Sequence, residues 1–192
     1  MHLDNWGLKA KKLGYRSRAV FKLEEILNKT NALKKSNNIL DIGAAPGGWS
    51  QFVKNKKKDA NVFAIDILDI EPIEGVDFYN VAVEELDSID KILALKGSFD
   101  LVISDLAPNL TGISVIDEAN IFELNDITLN VAVEYLYKRR GFFIIKTFQN
   151  SMLKKLKTKM SSIFDEVQFI NQLHQKNNLQ RYIYMEHLKN EQ

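Results

Sequence analysis

Short apolar runs alternate with segments of helical spacing from residue 38 onward. The apolar runs predict strands at residues 38–43, 61–66, 76–80, 99–104, 141–147, 166–170 and 181–186. Apolar residues at helical spacing predict helices at residues 17–28, 49–56, 82–95, 118–139 and 152–164. The first of these helices would be capped by Ser17. Strands that alternate with helices are typical of an α/β fold with a largely parallel sheet.

Chemically distinctive residues stand at the ends of four of these strands. A glycine-rich loop follows the first strand, and Asp66, Asp105 and Lys146 stand at the ends of the second, fourth and fifth. In a parallel sheet, ligands bind outside the carboxyl ends of the strands, close to the point where the strand order reverses. We therefore expect these residues, although far apart in sequence, to converge on one crevice and form a single active site.

The loop after the first strand reads Gly-Ala-Ala-Pro-Gly-Gly-Trp over residues 43–49. Glycines let a backbone approach a ligand closely, so the loop and the helix after it predict a turn that cradles a nucleotide-like ligand. It is not the dinucleotide fingerprint G-x-G-x-x-G, because Ala45 stands at the place of the central glycine. It is not a P-loop either, because no lysine follows the last glycine.

The residues at the other strand ends each have two interpretations. The Asp66 carboxylate can accept hydrogen bonds from both hydroxyls of a ribose, although such an acid also caps helices or faces solvent. Asp105, followed by Leu-Ala-Pro-Asn, either borders the crevice or forms an Asx turn. Lys146 lies among apolar neighbours. Burial disfavours an ammonium ion and suits such a lysine to general-base catalysis, whereas a lysine at a strand end also extends its amine to solvent.

Composition narrows the class of protein without identifying it. The 192 residues are 45% hydrophobic and 27% charged, with a net charge of +1, as expected of a single globular domain over residues 1–192. There is no cysteine, and three scattered histidines do not suggest a metal site. No apolar run approaches the length of a membrane-spanning helix, so we expect no membrane association. No secretory signal is recognisable. The sequence is also compatible with the removal of a longer leader, and cytoplasm, nucleolus and mitochondrion all stay open as locations.

Positive charge is concentrated near the N-terminus. Residues 8–22 hold six basic residues and no acid, and Trp6 and Tyr15 are interleaved with this segment. Cations contact a polyanion and aromatic rings stack on bases, so a segment of about residues 1–18 is a candidate RNA-binding arm. A basic helix face is more often only a solvated surface. The candidate contacts are Lys9, Lys11, Lys12, Arg16 and Arg18.

Five motifs, taken in order, resemble the FtsJ/RrmJ-type RNA 2′-O-ribose methyltransferases. They are YRSRAVFKL at residues 15–23, the loop region 40–51, GVDF at 75–78, SDLAPN at 104–109 and IKTFQ at 145–149. The resemblance extends from residue 6 to residue 188. It implies a Rossmann-like S-adenosylmethionine-dependent methyltransferase fold, which is α/β with a seven-stranded mixed sheet, an antiparallel last strand and helices on both faces.

The resemblance also implies roles for individual residues. The family's catalytic lysine, aspartate and lysine fall on Lys22, Asp105 and Lys146. Gln180 takes the place of the family's glutamate, two residues before Tyr182. The implied contacts to S-adenosylmethionine (SAM) are Gly43, Ala44, Pro46, Gly47, Gly48, Trp49, Asp66, Ile67, Asn80, Val81 and Asp105. Asn109 joins the residues implied in RNA binding, and no metal is implied.

The activity that the resemblance implies is methyl transfer from SAM to a ribose 2′-hydroxyl, with Lys146 accepting the hydroxyl proton and Asp105 orienting its amine. The loop at residues 43–49 resembles the branch that acts on large-subunit ribosomal RNA. We therefore expect a monomeric enzyme whose partner is ribosomal RNA or a ribosomal particle. The methylated nucleotide is expected to be a uridine. A transfer RNA methyltransferase and a catalytically impaired RNA-binding homologue remain alternatives. A nicotinamide-dependent oxidoreductase and a small-molecule methyltransferase are more distant ones.

Overall fold

The structure, a computed structural model, describes residues 5–170 and 180–189. Its strands are β1 Asn38–Ile42, β2 Asn61–Ile65, β3 Val76–Tyr79, β4 Leu101–Ser104, β5 Phe142–Phe148, β6 Phe164–Ile170 and β7 Gln180–Leu188. They form one seven-stranded sheet in the order β3-β2-β1-β4-β5-β7-β6. Strands β1 to β5 are parallel, and β7 runs antiparallel to both β5 and β6. The predicted α/β class and seven-stranded mixed sheet are confirmed.

Helices cover both faces of this sheet. They are α1 Asn5–Lys12, α2 Val20–Thr30, α3 Ala32–Lys35, α4 Gly48–Lys56, α5 Asp90–Leu93, α6 Ser114–Tyr135 and α7 Leu153–Ile163, with a 3₁₀ helix at Val83–Ser88. Helices α2 to α4 share one hydrophobic core with the sheet, while the 3₁₀ helix and α5 to α7 share the other. Neighbouring strand residues alternate between the cores, Ile39 in the first and Leu40 in the second. Burial on both faces explains why the central strands are continuous apolar runs.

The helix predicted over residues 82–95 is divided in two. Ile89 separates the 3₁₀ helix from α5 in an extended conformation, with φ −101° and ψ 100°. Leu86, Ile89 and Ile92 are all buried. The segment therefore keeps its apolar side against the core although the helix is interrupted at Ile89. The apolar pattern therefore predicted the buried side of this segment correctly, but the prediction of one continuous helix was wrong.

Helix α6 begins and ends earlier than the predicted residues 118–139. At its start, the Asp117 carboxylate accepts hydrogen bonds from the backbone N–H groups of Thr111 and Gly112, which anchors the preceding loop. At its end, the backbone N–H of Phe99 donates to Tyr135 O and that of Tyr137 donates to Phe99 O. Pairing with Phe99 draws the chain toward the sheet, and this ends the helix.

Ser17 does not cap α2, which begins at Val20. Its Oγ instead accepts a hydrogen bond from the backbone N–H of Ala19 at 3.1 Å, within the turn that precedes the helix. The aromatic rings of the basic segment are also used locally. The Trp6 ring lies 5.2 Å from the Phe21 ring, and the Tyr15 ring lies 6.1 Å from that of Phe52. These contacts pack the N-terminal segment against α2 and α4.

Candidate active site

A cavity of about 610 Å³ opens at the carboxyl ends of β1, β2 and β4. Its wall includes Gly43 after β1, Asp66 and Ile67 after β2, and Asp105 and Asn109 after β4. The strand order reverses between β1 and β4, which is where open α/β sheets bind their ligands. The structure thus brings together the glycine loop and the two acids that the sequence placed at separate strand ends.

Gly43 lies close to the loop after β4. Its φ is +77°, and a Cβ at this position would lie 2.2 Å from Leu106 Cγ. Its backbone N–H donates to Ile65 O at 2.9 Å. A residue without a side chain is therefore required by both the left-handed backbone and the neighbouring loop. The glycine thus allows Leu106 of the loop after β4 to pack against the loop after β1, and both residues line the cavity.

The Asp66 carboxylate joins two loops at the edge of the cavity. Oδ2 accepts a hydrogen bond from the backbone N–H of Ala45 at 2.8 Å, and Oδ1 accepts one from Leu68 at 2.8 Å. The residue is buried. An ionised carboxylate has about four acceptor sites, so two remain for ligand hydroxyls. The backbone bonds fix the orientation in which those sites face the cavity.

Several residues implied in cofactor contact lie outside the cavity wall. The Trp49 side chain is in the core, where its Nε1–H donates to Ala19 O and its ring lies 6.0 Å from that of Tyr182. Asn80 Nδ2 donates to Asp66 O. Gly48 packs against Ser17 of the N-terminal segment, so neither Trp49 nor Gly48 lies in the cavity wall, and their contact with a cofactor stays a prediction. The other residues outside the wall are Ala44, Pro46, Gly47, Asn80 and Val81.

A lysine–aspartate pair lies next to the cavity, with Lys146 buried and Asp105 half-buried. Lys146 Nζ is 2.9 Å from Asp105 Oδ1 and donates a hydrogen bond to the backbone O of Asp105. The ion pair is close, but Oδ1 has no hydrogen-bond partner of good geometry among the described residues. Burial raises the pKa of Asp105, and the positive charge of Lys146 opposes that shift. Lys146 is therefore held to Asp105 through both the carboxylate and the backbone carbonyl.

Gln180 and Lys22 complete this cluster from two other elements. Lys22 on α2 donates a hydrogen bond to Gln180 Oε1 at 3.2 Å. Residues 146 and 148 of β5 pair with residues 182 and 180 of β7, which places Lys146 and Gln180 at neighbouring positions of the sheet. Burial lowers the pKa of Lys22 to about 8; Arg18 and Lys146 also lower it, whereas Asp105 raises it. Two lysines therefore share one nearby carboxylate, and Gln180 contributes only a dipole.

Restoring a carboxylate at this position is expected to raise the pKa of Lys22. In Gln180→Glu, an acid at hydrogen-bond distance would favour the ammonium form, and opposite charges at such distances shift pKa values by about 1–3 units. Lys22 would then lose its proton at higher pH than in the wild type. Titration of ¹³C-labelled lysine side chains by NMR measures this directly. Asn55→Asp adds the same charge at an exposed site of α4 and should leave the Lys22 titration unchanged, and equal curves for all three proteins would contradict the prediction.

Two buried polar residues of the site had no predicted role. Tyr182 is hydrogen-bonded to the Asp105 carboxylate, and its ring lies under the Lys22 ammonium at 5.4 Å. Asp41, near the end of β1, is fully buried and accepts a hydrogen bond from Ser50 Oγ at 2.6 Å, while its Oδ1 has no partner within residues 5–170 and 180–189. Burial raises the pKa of Asp41 to about 7. The signal for it was an acid inside an apolar strand.

The candidate RNA contacts divide into two groups. Lys9, Lys11, Lys12 and Arg18 are exposed on the N-terminal segment, and Lys9 lies over the rings of Trp6 and Phe21. Arg16 is half-buried, and its guanidinium donates to the carbonyl oxygens of Pro46, Glu71 and Pro72 at the protein surface. Asn109 is exposed at the rim of the cavity.

Residues 5–170 and 180–189 contain no group of three or more histidine, aspartate or glutamate side chains that could hold a metal ion. Within the same ranges, every helix is too short or too polar to cross a membrane.

Comparison with known proteins identifies the family. The family model described as FtsJ-like methyltransferase matches residues 15–187. The chain is 39% identical to Ribosomal RNA large subunit methyltransferase E of Chromobacterium violaceum, over 85% of this chain and 81% of that protein. The protein of the same name from Methanocella arvoryzae is 40% identical, over 78% of this chain and 58% of its own length.

Solved structures agree with this relationship. A crystal structure of a ribosomal RNA methyltransferase from Plasmodium falciparum superposes with a TM-score of 0.78 at 28% identity and covers 91% of this chain and 98% of that chain. Human Methyltransferase-like protein 13 in complex with SAH, at 15% identity and a TM-score of 0.57, covers 81% of this chain and 74% of that chain and shares the fold alone. The family match spans both the glycine loop and the lysine–aspartate pair, and the chain is a member of the FtsJ-like methyltransferase family.

Proposed function

We propose that this protein transfers a methyl group from SAM to a ribose 2′-hydroxyl of large-subunit ribosomal RNA, at a uridine. The observation that carries the proposal is the cluster of Lys22, Asp105 and Lys146 beside the cavity at the glycine loop. Family membership supports the methyl-transfer chemistry, and the names of the curated relatives support a ribosomal RNA substrate. We also propose that residues 1–192 act as one methyltransferase domain.

The residues at the cavity fit SAM. Gly43 lines the cavity with backbone alone, and the Asp66 carboxylate has acceptor sites left for ribose hydroxyls. The loop at residues 43–49 carries no basic residue, which suits a ligand without phosphates. When bound, SAM supplies an electrophilic methyl group on a sulfonium sulfur. Gly43, Asp66, Ile67 and Asp105 are the wall residues that would hold it.

Lys146 is the proposed proton acceptor for the attacking 2′-hydroxyl. A ribose hydroxyl is a weak nucleophile, and a positioned general base contributes about 10²–10⁴-fold to the rate of such a step. Asp105 orients the Lys146 amine through the 2.9 Å contact and the backbone carbonyl. Tyr182 donates its hydrogen bond to Asp105, and Gln180 holds Lys22 near the pair. Alignment of hydroxyl, methyl group and leaving sulfur supplies much of the remaining acceleration.

Transfer of labelled methyl groups to unmodified RNA tests this function. The purified protein is incubated with methyl-labelled SAM and either transcribed large-subunit ribosomal RNA or ribosomal subunits that lack 2′-O-methylation. We expect label in dinucleotides that resist alkaline hydrolysis, because a 2′-O-methyl group blocks cleavage of the adjacent phosphodiester. Label on a base would overturn the ribose assignment. Transfer RNA is the comparison substrate, and preferential labelling of transfer RNA would favour the alternative that this protein is a transfer RNA methyltransferase.

Gln180 gives a specific reason to consider a second outcome. Because an amide carries no charge, a homologue with Gln180 could bind RNA and SAM yet transfer methyl groups slowly. Binding of both ligands without label transfer to any RNA would support that alternative. Restoration of transfer by Gln180→Glu would then assign the defect to the missing carboxylate.

A further inference from the structure

Arg16 bridges two loops that the proposed chemistry depends on. Its Nη1 donates to Pro46 O at 3.4 Å and to Glu71 O, and its Nη2 donates to Pro72 O at 2.8 Å. Pro46 belongs to the glycine loop after β1, whereas Glu71 and Pro72 belong to the segment between β2 and β3. A planar guanidinium with several fixed donors suits three carbonyls that converge from two segments.

The position of Arg16 is itself fixed by helix α4. The backbone N–H of Arg16 donates to Gln51 Oε1 at 3.2 Å, and Gln51 Nε2 donates to Gly14 O at 2.9 Å. One glutamine side chain on α4 therefore holds the backbone on both sides of Tyr15. Because α4 follows directly from the glycine loop, the arginine is anchored to the element that it helps to position.

Gly47 provides the space that the guanidinium occupies. Its φ is +97°, and a Cβ there would lie 3.0 Å from Arg16 Nη1 and 2.8 Å from Ile73 Cδ1. Such distances leave no room for a side chain between the glycine loop and the segment that contains Ile73. Gly47 therefore allows the two segments to lie close together, and it is not part of the cavity wall.

The two bridged segments form one wall of the cavity. Gly43 and Ala45 come from the first segment, and Asp66, Ile67 and Leu68 come from the second. At the cavity they are joined by the hydrogen bond from the Ala45 backbone to Asp66 Oδ2. The Arg16 contacts join the same segments a second time, at residues that are not part of the cavity wall. With both links in place, the wall has its shape before a ligand binds, which lowers the cost of ordering it.

We propose that Arg16 is a positioning residue for SAM binding, which holds the segment 66–75 against the glycine loop, and is not a phosphate contact of the N-terminal segment. The identity of the ligand rests on the proposed function. A residue at this position can change the affinity for SAM without contacting SAM itself. Hydrogen bonds from a charged donor are among the stronger ones in proteins, so their loss should be measurable in ligand affinity.

The test compares Arg16→Met with Lys12→Met, since each removes one positive charge from the N-terminal segment. SAM affinity is measured by calorimetry, and RNA affinity is measured as a function of salt concentration. For Arg16→Met we expect the Kd for SAM to rise by about 10-fold to 100-fold, with RNA affinity within about twofold of the wild type and an unchanged salt slope. For Lys12→Met we expect an unchanged SAM Kd and a salt slope reduced by about 0.7 to 0.9.

Two further measurements separate positioning from general destabilisation. Arg16→Lys keeps the charge but lacks the planar fork, so it should also weaken SAM binding, and it provides the measurement if Arg16→Met does not fold. Amide hydrogen exchange should become faster in residues 67–75 of either variant, while amides of β4 and β5 keep their protection. Uniform loss of protection across the sheet would contradict a local positioning role.

The result that would overturn the inference is an Arg16→Met protein with wild-type SAM affinity and a reduced salt slope for RNA. Arg16 would then contact phosphate, as its place in the basic segment first suggested. A wild-type protein that fails to bind SAM would instead refute the proposed function. Because SAM affinity of the wild type is measured independently, the two failures are distinguishable.

Discussion

Lys146→Ala is expected to lower the rate of methyl transfer by about 10²–10⁴-fold while the protein still binds SAM. The substitution removes the amine proposed to accept the hydroxyl proton, whereas Gly43 and the Asp66 carboxylate remain in place. Single-turnover rates with saturating SAM measure the chemical step, and calorimetry measures SAM affinity. Near-normal transfer by this variant would eliminate Lys146 as the proton acceptor.

The Lys146→Arg variant distinguishes the loss of a proton acceptor from the loss of a positive charge beside Asp105. Loss of one partner from a buried ion pair is strongly destabilising, so the alanine variant leaves Asp105 with less compensation. Arginine keeps a positive charge beside that carboxylate but stays protonated in proteins. We therefore expect Lys146→Arg to be as slow as Lys146→Ala. Lys159→Arg alters a comparable ion pair with Asp126, on the outer helices α7 and α6, and should transfer at the wild-type rate.

Gly43→Ala is expected to abolish SAM binding at concentrations that saturate the wild type. The new Cβ would lie 2.2 Å from Leu106 Cγ and 2.3 Å from Leu106 Cδ2, so the Leu106 side chain must move. Leu106 lines the cavity, and its displacement changes the space in which the ligand would lie. The left-handed φ of +77° adds roughly 1–2 kcal/mol of backbone strain for any residue with a Cβ. Calorimetry and thermal unfolding measure the two effects separately.

Gly97→Ala is the matched control for Gly43→Ala. Gly97 has a nearly identical φ of +75°, but a Cβ there would meet nothing within 4 Å. It should therefore show the strain alone, with a lower melting temperature and unchanged SAM affinity. The double variant with Leu106→Ala should recover part of the affinity lost in Gly43→Ala, because it removes the atoms in conflict. Equal SAM affinities for the Gly43 and Gly97 variants would show that the approach of Leu106 is unimportant.

The strands were predictable because of the environment in which they lie. Residues of β1, β4 and β5 are buried on both faces, so only continuous apolar runs are compatible with them, and their bounds differ from the predicted ones by no more than two residues. The helices on the sheet were less predictable, because contacts with other elements set their ends. Ile89 breaks the predicted helix at 82–95, and the pairing of Phe99 with the end of α6 stops that helix.

The candidate site was predictable to the extent that it follows from topology. Parallel strands bring their carboxyl ends to one edge, so Gly43, Asp66 and Asp105 had to be neighbours. The resemblance to the family added Lys22 and Gln180, whose contact depends on a helix before the sheet and the antiparallel strand β7. Spacing along the chain could not relate residues that lie 158 positions apart.

By itself, the sequence determined the class of the fold, the edge of the sheet at which a ligand binds and the family, because these follow from periodicity, strand direction and local motifs. Only the tertiary structure decided what each polar side chain does there. In sequence, Arg16 is one more cation of a basic segment, yet three carbonyl oxygens from two other segments accept hydrogen bonds from it. Likewise, burial lowers the pKa of Lys22, against the opposing effect of the Asp105 charge. The partners of a charged group are set by contacts between distant parts of the chain, and no local pattern records them.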